Sequence, residues 1–217
     1  MAREGRTERL DTATLILDVA ERLVQVRGFN GFSYADVAAE LKLTKAAVHY
    51  HFAGKSELGE ALITRYAAHF TEDLAAIEAR TTDASARLDA YADLYLGVLR
   101  AERMCLCGMM AAEYPTLPAP MQATVLRFFD DNESWLTDVL RQGLERGDLE
   151  FSGSPVEMAR MIVGGLEGAM LVARPFGDIS RFQAAATQLL AVLKPVSRNA
   201  EGSPNAAGGT PRAPVPG

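Results

Sequence analysis

A short segment of the chain concentrates side chains that can bind phosphate groups. Between positions 42 and 55 the sequence has three lysines, two histidines and no acidic residue. These residues are Lys42, Lys45, His49, His51 and Lys55. Because cationic side chains pair with phosphate oxygens, the segment predicts contact with a nucleic-acid backbone. Chance clustering of charge on a solvated helix is the alternative that charge alone leaves open.

The rest of the 217-residue chain is acidic, with a formal net charge of -6 for the whole. Residues 1–60 carry 8 Lys or Arg against 9 Asp or Glu, and residues 61–217 carry 14 against 19. A basic face on an acidic body suits a protein that touches phosphates at one place. With 48% hydrophobic residues, the chain can bury the core of one long domain or of a small domain fused to a larger one.

The thiols of Cys105 and Cys107 are the other reactive groups. They are too close in sequence for a disulfide framework, so we expect free thiols in a reducing compartment. No apolar run reaches the roughly 18 residues of a membrane span, and the charged N-terminus lacks a secretory signal. We therefore expect a cytoplasmic protein without a membrane partner.

Hydrophobic periodicity predicts helices along almost the whole chain and no strand, hence an all-α fold of about nine helices. The predicted helices cover 8–27, 33–41, 44–52, 54–80, 83–102, 104–113, 118–146, 155–173 and 179–194. From Pro195 the composition changes, since the last 23 residues contain five of the ten prolines and four glycines. Residues 195–217 are therefore predicted to form a disordered tail.

Residues 33–52 have the spacing of a helix-turn-helix: two short capped helices separated by a turn of three or four residues. Small residues suited to a close helix crossing are Ala35, Ala38, Ala46 and Ala47. The second helix leaves Lys45, His49 and either Tyr50 or His51 free to enter a major groove. A plain helical hairpin is the alternative that spacing leaves open.

The stretch GFNGFSYADVAAELKLTKAAVHYHFAGKSEL, residues 28–58, resembles the DNA-binding domain of the TetR family of bacterial regulators. The positions on the family pattern or on close substitutes are Ser33, Val37, Ala38, Leu43, Thr44, Lys45, Val48, His51, Phe52, Lys55, Glu57 and Leu58. The resemblance implies a three-helix DNA-binding domain over 1–54 and a helical regulatory and dimerisation domain over 55–194. It implies a transcriptional regulator, typically a repressor, that binds a palindromic double-stranded operator as a homodimer. A small-molecule or electrophile effector would release it.

The same resemblance implies which residues meet DNA. They are Ser33, Thr44, Lys45, Ala46, Ala47, His49, Tyr50, His51 and Lys55. Thr44 would cap the recognition helix and touch a phosphate, the alanines would meet the groove floor, and Lys55 would hold a phosphate. The sequence departs from the family at Lys42, which replaces the usual turn glycine and must accept a strained backbone or shift the turn.

The regulatory half offers a dimer interface and a ligand cavity. Helices 155–173 and 179–194 are apolar on more than one face and rich in Gly or Ala. This pattern predicts that they pair with the same helices of a second copy. A thick core within one chain is the alternative. Candidate ligand or sensing residues among helices 4 to 8 are Cys105, Met109, Phe128, Trp135 and Met170, together with Met104, Met110 and Phe129. Ordinary core packing is the alternative for each, and the effector itself does not follow from the sequence.

A more specific hypothesis concerns the reactivity of Cys105. The segment CLCGMMAAE, residues 105–113, is similar to a helix start in some TetR-family electrophile sensors. Arg100, Arg103 and the helix N-terminus are predicted to lower the pKa of this thiol and favour the thiolate. A buried thiol used for packing is the alternative.

The sequence was also compared with the patterns of an enzyme, a metal site and a protein-binding adaptor. There is no GxGxxG, P-loop, HExxH or GxSxG motif, so we expect no catalytic residue, no cofactor and no enzyme activity. His49 and His51 are two residues apart and point in different directions on a helix, so we expect no metal site. A helical adaptor that binds only protein would not need the basic segment, and the sign of regulation stays open.

Overall fold

The structure is a computed structural model that describes residues 2–194, with side chains from residue 11 onward. Within that range it contains nine α-helices, two single 3-10 turns and no strand. The helices are α1 (Ala2–Arg27), α2 (Tyr34–Leu41), α3 (Lys45–His51), α4 (Lys55–Arg80), α5 (Ala84–Arg100), α6 (Leu106–Ala112), α7 (Ala119–Arg146), α8 (Pro155–Ala173) and α9 (Ile179–Ala191). The predicted all-α class is therefore confirmed. The predicted disordered tail, residues 195–217, lies outside the described residues.

The observed helix bounds follow from local capping chemistry. Thr44 precedes α3, and its hydroxyl oxygen accepts the backbone N–H of Ala47 at 3.1 Å. Ser154 precedes α8, and its backbone N–H donates to the Glu157 carboxylate at 3.0 Å, while Pro155 occupies the first helical position. Gly147 ends α7 in a left-handed conformation with φ +76°. The largest difference from the predicted bounds is at α1, which begins at Ala2 rather than near residue 8.

The 26-residue helix α4 joins two groups of helices. At its N-terminal end α1, α2 and α3 pack around Val24, Val37, Val48 and Leu58, which are buried. Farther along, α4 packs against α5 and α7, and α8 lies between α7 and α9. No helix in the described range is long and apolar enough to cross a membrane.

Aromatic side chains fill the interior where α4, α5 and α7 meet. Phe70 on α4 lies edge-on to the rings of Tyr91 and Tyr95 on α5 and Phe128 on α7, with centroid separations of 5.3 to 6.2 Å. The Tyr91 hydroxyl donates to Asn132 at 3.1 Å, so its polar end is satisfied inside the core. This cluster fixes the angle at which α4 enters the larger helical body.

Candidate DNA-binding surface and sensing residues

The turn between α2 and α3 sets the angle of the second helix. Lys42 takes the left-handed conformation with φ 55° and ψ 36°, and the next residue, Leu43, donates its N–H to the Ala38 carbonyl at 2.8 Å. A left-handed conformation at a non-glycine residue costs roughly 1–2 kcal/mol. The strained backbone expected at Lys42 is therefore confirmed, and the turn keeps the geometry of a glycine turn.

Two contacts fix α3 against α2. The Tyr34 hydroxyl on α2 donates to the Phe52 carbonyl at 3.0 Å, and burial raises the pKa of that hydroxyl to about 12. The His49 ring packs 4.6 Å from the Tyr34 ring, and His49 Nδ1 lies 3.3 Å from the Ala53 carbonyl oxygen. One face of α3 is thus held by the rest of the domain, and His49 contributes to that anchoring.

The opposite face of α3 projects into solvent. Lys45 and Ala46 are exposed, and Tyr50 keeps 65% of its surface, with its ring 5.4 Å from the His51 ring. Because the Thr44 oxygen acts as an acceptor in the cap, its hydroxyl proton remains available to a further acceptor. Ala47 is only partly exposed. The projecting surface therefore combines one cation, two hydroxyl groups and a methyl group.

Ser33 and Asp36 form a capping arrangement at the start of α2. The Asp36 carboxylate accepts the Ser33 hydroxyl at 2.6 Å and the Ser33 backbone N–H at 2.7 Å. These bonds, with Arg27 nearby, lower the pKa of Asp36. The Ser33 hydroxyl proton is thus already donated within the protein, so contact with a phosphate would compete with the cap.

Lys55 points into the domain. Its ammonium donates to the carbonyl oxygens of Phe29 and Phe32, the latter at 2.6 Å, and lies 4.6 and 4.4 Å from the centroids of their rings. Burial lowers the pKa of this ammonium group. Two of its three donors hold the loop after α1, which favours a structural role for Lys55, and the predicted phosphate contact stays a prediction.

The side chains predicted to line a ligand cavity pack into the core. Phe128 and Met170 are buried, and Phe128 contacts Phe70 and Phe129. Trp135 stacks on Tyr91 at 5.7 Å and donates to Glu78 at 3.0 Å. Met110 is buried, whereas Met109 is half-buried and its sulfur accepts a hydrogen bond from Arg174 at 3.3 Å.

The prediction that nearby arginines lower the pKa of Cys105 is wrong. Cys105 is buried at the start of α6, where its sulfur accepts the Gly108 N–H at 3.4 Å. Desolvation by burial and the adjacent Glu167 carboxyl group raise the pKa of the thiol well above its ordinary value. The pKa of Cys107 is raised for the same two reasons. The structure therefore holds Cys105 as a neutral thiol.

Sequence reasoning missed Glu167, which lies across from Cys105 on α8. Burial raises the pKa of its carboxyl group from 4.5 to about 7, and one carboxyl oxygen, Oε1, is buried without a hydrogen-bond partner in the described chain. The glycine at position 108 leaves room for this carboxyl group, since a Cβ atom there would lie 2.2 Å from Glu167 Oε2. The available signal was one acid, Glu167, inside the otherwise uncharged run from 161 to 172.

Several contacts join the helix-turn-helix to the larger helical body. Arg65 on α4 pairs with Asp18 and Glu21 on α1, both at 2.7 Å. Asn30, in the loop before α2, donates its backbone N–H to Glu113 at the end of α6 at 3.1 Å. Arg174, after α8, donates to the Val26 carbonyl in the last turn of α1. The orientation of the helix-turn-helix is thus linked to α4, α6 and α8.

An anchored recognition helix on a small helical head, joined by one long helix to a larger bundle, defines a helix-turn-helix DNA-binding protein. Comparison with known proteins identifies the family of this DNA-binding protein. Residues 16–62 match the family of bacterial regulatory proteins described as the tetR family, and residues 84–189 match the tetracyclin repressor-like C-terminal domain. The chain belongs to the TetR family of transcriptional regulators.

The relatives align with about three quarters or more of the chain. A TetR-family transcriptional regulator of Agrobacterium tumefaciens is 31% identical, with a TM-score of 0.84 over 86% of this chain and 100% of that structure. A TetR regulator of Legionella pneumophila is 30% identical, with a TM-score of 0.76 over 83% of this chain and 96% of that structure. The transcriptional repressor NemR of Escherichia coli K12 is 27% identical over 171 residues, covering 76% of this chain and 84% of NemR.

Proposed function

We propose that this regulator is a cytoplasmic repressor that binds a palindromic operator as a homodimer and leaves it when an effector binds. The observation that carries the proposal is α3, which is anchored on one face by Tyr34 and Phe52 and exposes polar groups on the other. We divide the chain into a DNA-binding part, 1–54, and a regulatory part, 55–194. We assign it no catalytic residue and no cofactor.

In the proposed complex α3 lies in the major groove. Lys45 and the Thr44 hydroxyl contact phosphates, while Ala46 and Ala47 approach base edges, where a methyl group can meet a thymine methyl. Tyr50 and His51 reach the bases or the backbone at the other end of the helix. The packing of His49 against Tyr34 favours an indirect role, in which it orients α3. We do not include Lys55 among the phosphate contacts, and we retain Ser33 only as the cap of α2.

The proposed dimer forms through α8 and α9. Apolar side chains exposed on or just after these helices include Met161, Leu171, Val172 and Val192, each with 42% to 61% of its surface free. On α8, Gly164 and Gly168 have no neighbouring atom in the described chain within 4 Å of where a Cβ would lie. Small residues between exposed apolar side chains allow a second helix pair to approach closely. Pairing across this face would set two α3 helices at a fixed spacing.

We infer that the protein represses transcription rather than activating it. NemR, which aligns over most of its own length, is named a transcriptional repressor. We propose that an effector shifts the equilibrium towards a dimer whose recognition helices no longer match adjacent half-sites. For a ligand to reach Phe128, Trp135 or Met170, these side chains would have to separate, because they pack into the core. Cys105 would react with an electrophile only after losing its proton, and Glu167 is the adjacent group able to accept one.

Selection of genomic DNA fragments by the purified protein, followed by sequencing and a salt titration, tests the proposal. We expect one short palindrome whose affinity falls steeply with salt, since several phosphates are contacted. Lys45→Ala should weaken binding, whereas Lys194→Ala should not, because Lys194 pairs with Asp89 on α5. No enriched sequence, together with equal behaviour of wild type and Lys45→Ala, would contradict the proposal and favour a protein-binding adaptor.

A further inference from the structure

A cavity of about 360 Å³ lies between the end of α5 and the turn that joins α8 to α9. Residues from both sides line it: Leu99, Arg100, Glu102, Arg103, Met104, Ala173, Arg174, Gly177, Asp178 and Ile179. Three of these residues are arginines. None of the residues predicted from sequence as ligand contacts lines this cavity except Met104.

The three cavity arginines differ from most other arginines of the described chain in their partners. Seven arginines elsewhere form an ion pair with a carboxylate, namely Arg22, Arg27, Arg65, Arg141, Arg146, Arg160 and Arg181. Over residues 11–194, Arg100, Arg103 and Arg174 have no carboxylate oxygen within 4.0 Å. Three arginines that line one cavity and form no ion pair within residues 11–194 are suited to an anion from outside the chain.

Arg174 is held by two weak acceptors. One of its nitrogens donates to the Met109 sulfur at 3.3 Å, and another donates to the Val26 carbonyl. A thioether and a single carbonyl are poorer partners for a guanidinium than a carboxylate, which accepts two parallel hydrogen bonds. A ligand carboxylate would therefore compete well for this side chain.

The remaining lining indicates the size and charge of the ligand. Apolar walls come from Leu99, Met104 and Ile179, whereas Glu102 and Asp178 supply the acidic groups. Asp178 is already engaged, since its carboxylate accepts the Ser180 N–H at 3.0 Å and pairs with Arg181. Three arginines against two acids leave the lining one positive charge in excess.

We propose that this cavity binds a small organic monocarboxylate, with the carboxylate on Arg174 and its neighbours and an aliphatic or aromatic body against Leu99, Met104 and Ile179. The volume is within the range of small-molecule sites. An excess of one charge matches a monoanion better than a polyphosphate. The site is separate from the core side chains around Cys105 and needs no covalent step.

Binding at this cavity would act on the DNA-binding part through one contact. Val26, whose carbonyl holds Arg174, lies in the last turn of α1, immediately before the helix-turn-helix. When a carboxylate takes the Arg174 donors, that link between α1 and the turn after α8 is lost. This regulatory consequence rests on the proposed operator-binding function, whereas carboxylate binding itself does not.

Isothermal titration calorimetry on the full chain with sodium benzoate, and with benzamide as its uncharged analogue, tests the site. We expect saturable benzoate binding that weakens as chloride rises, and at least tenfold weaker binding of benzamide. Arg174→Gln should weaken benzoate binding at least tenfold, and Arg174→Lys should weaken it less. Arg127→Gln, which changes an exposed arginine on α7, should leave it unchanged. Circular dichroism checks that each variant is folded.

Two results would overturn the site: no saturable binding of benzoate or of hexanoate, or equal affinities in wild type, Arg174→Gln and Arg100→Gln. The regulatory step is tested separately on the selected operator, where benzoate should lower the affinity of wild type but not of Arg174→Gln. Benzoate binding without any change in operator affinity would retain the site and refute the coupling. A chain that binds benzoate but no DNA would refute the proposed function alone.

Discussion

The backbone N–H of Asn30 donates to the Glu113 carboxylate at 3.1 Å, which ties the loop before α2 to the end of α6. The Asn30 side chain strengthens this junction by donating to the Thr116 hydroxyl at 2.7 Å. At its other end α6 begins next to Cys105, whose sulfur caps the helix. A single short helix therefore runs from the buried thiol to the base of the helix-turn-helix.

Replacing Gly28 by alanine should destabilise this junction. Gly28 has φ +86°, and a Cβ atom there would lie 2.6 Å from Glu113 Oε1. We expect a loss of roughly 1–2 kcal/mol from the backbone alone, with displacement of Glu113 as a further cost. Urea unfolding measures the change. Gly54→Ala is the matched control, because Gly54 has an extended φ and open space around it. An equal loss of unfolding free energy in both variants would count against the close approach of Glu113.

Replacing Lys55 by methionine should destabilise the DNA-binding part. The ammonium bonds to Phe29 and Phe32 would be lost, and their carbonyls would be left without this donor. We expect a loss of about 1–3 kcal/mol in the free energy of unfolding, measured by urea titration. Lys45→Met, at an exposed position, is the control. A Lys55→Met protein of unchanged stability with weakened operator binding would instead assign Lys55 to phosphate.

Glu167 should make the stability of the protein depend on pH. Its pKa is about 7 in the folded chain and ordinarily 4.5, so the native state holds a proton that the unfolded state has released. The contribution of Glu167 to stability is therefore greatest below about pH 4.5 and is lost as pH rises towards 7, by about 3 kcal/mol in all. The groups that face this carboxyl group include Cys105 and Cys107, which remain protonated over that range.

Urea unfolding of Glu167→Gln at several pH values between 5 and 8 checks this expectation. The amide keeps the shape without the ionisation, so the variant should gain stability over wild type as pH rises. Glu133→Gln on α7 is the control, since Glu133 pairs with Arg160 on the surface. A wild-type pH profile identical to that of Glu167→Gln would show that Glu167 is not buried as described.

Alkylation of Cys105 should be slow in the folded protein. Burial and a raised pKa both reduce the thiolate that reacts with iodoacetamide. We expect labelling at pH 7.5 to be at least ~10-fold slower in the native than in the urea-unfolded protein, as followed by mass spectrometry. The Cys107→Ser variant isolates the signal of Cys105. Rapid native labelling would restore the idea of a preformed thiolate.

Leu171→Glu should separate the proposed dimer. Leu171 is 57% exposed on α8, and a carboxylate there would be buried against its symmetry mate. We expect a monomer by light scattering at micromolar concentration. Leu126→Glu on α7, which is 52% exposed in wild type, should leave the mass unchanged. A monomeric wild type, or a dimeric Leu171→Glu protein, would place the interface elsewhere.

The helices could be predicted because the residues that cap each end lie close to that end in the sequence. Thr44, Gly147 and Ser154 with Pro155 act on backbone groups within four residues, so the sequence around each cap contains the necessary information. The start of α1 was missed because no comparable cap marks residues 2 to 8 in the sequence. The turn between α2 and α3 follows from the spacing of the two helices, whereas the left-handed backbone at Lys42 could be predicted only from the glycine in the family pattern.

The environments of individual side chains could not be predicted in the same way. Cys105 and Glu167 are 62 residues apart, and the pKa of each depends on their shared burial. Arg100 and Arg103 are near Cys105 in sequence, yet they line the cavity between the end of α5 and the turn after α8. Lys55 fits the family pattern, but its direction depends on the loop that it holds closed.

The stacking of Trp135 on Tyr91 has an optical consequence. Trp135 is the only tryptophan of the chain, and its indole N–H donates to Glu78 on α4. Indole emission shifts with the polarity around the ring, so any sliding of α4 against α7 would change the fluorescence spectrum of the unlabelled protein. The regulator therefore carries, on α7, a built-in reporter of the position of α4, the helix that joins its two parts.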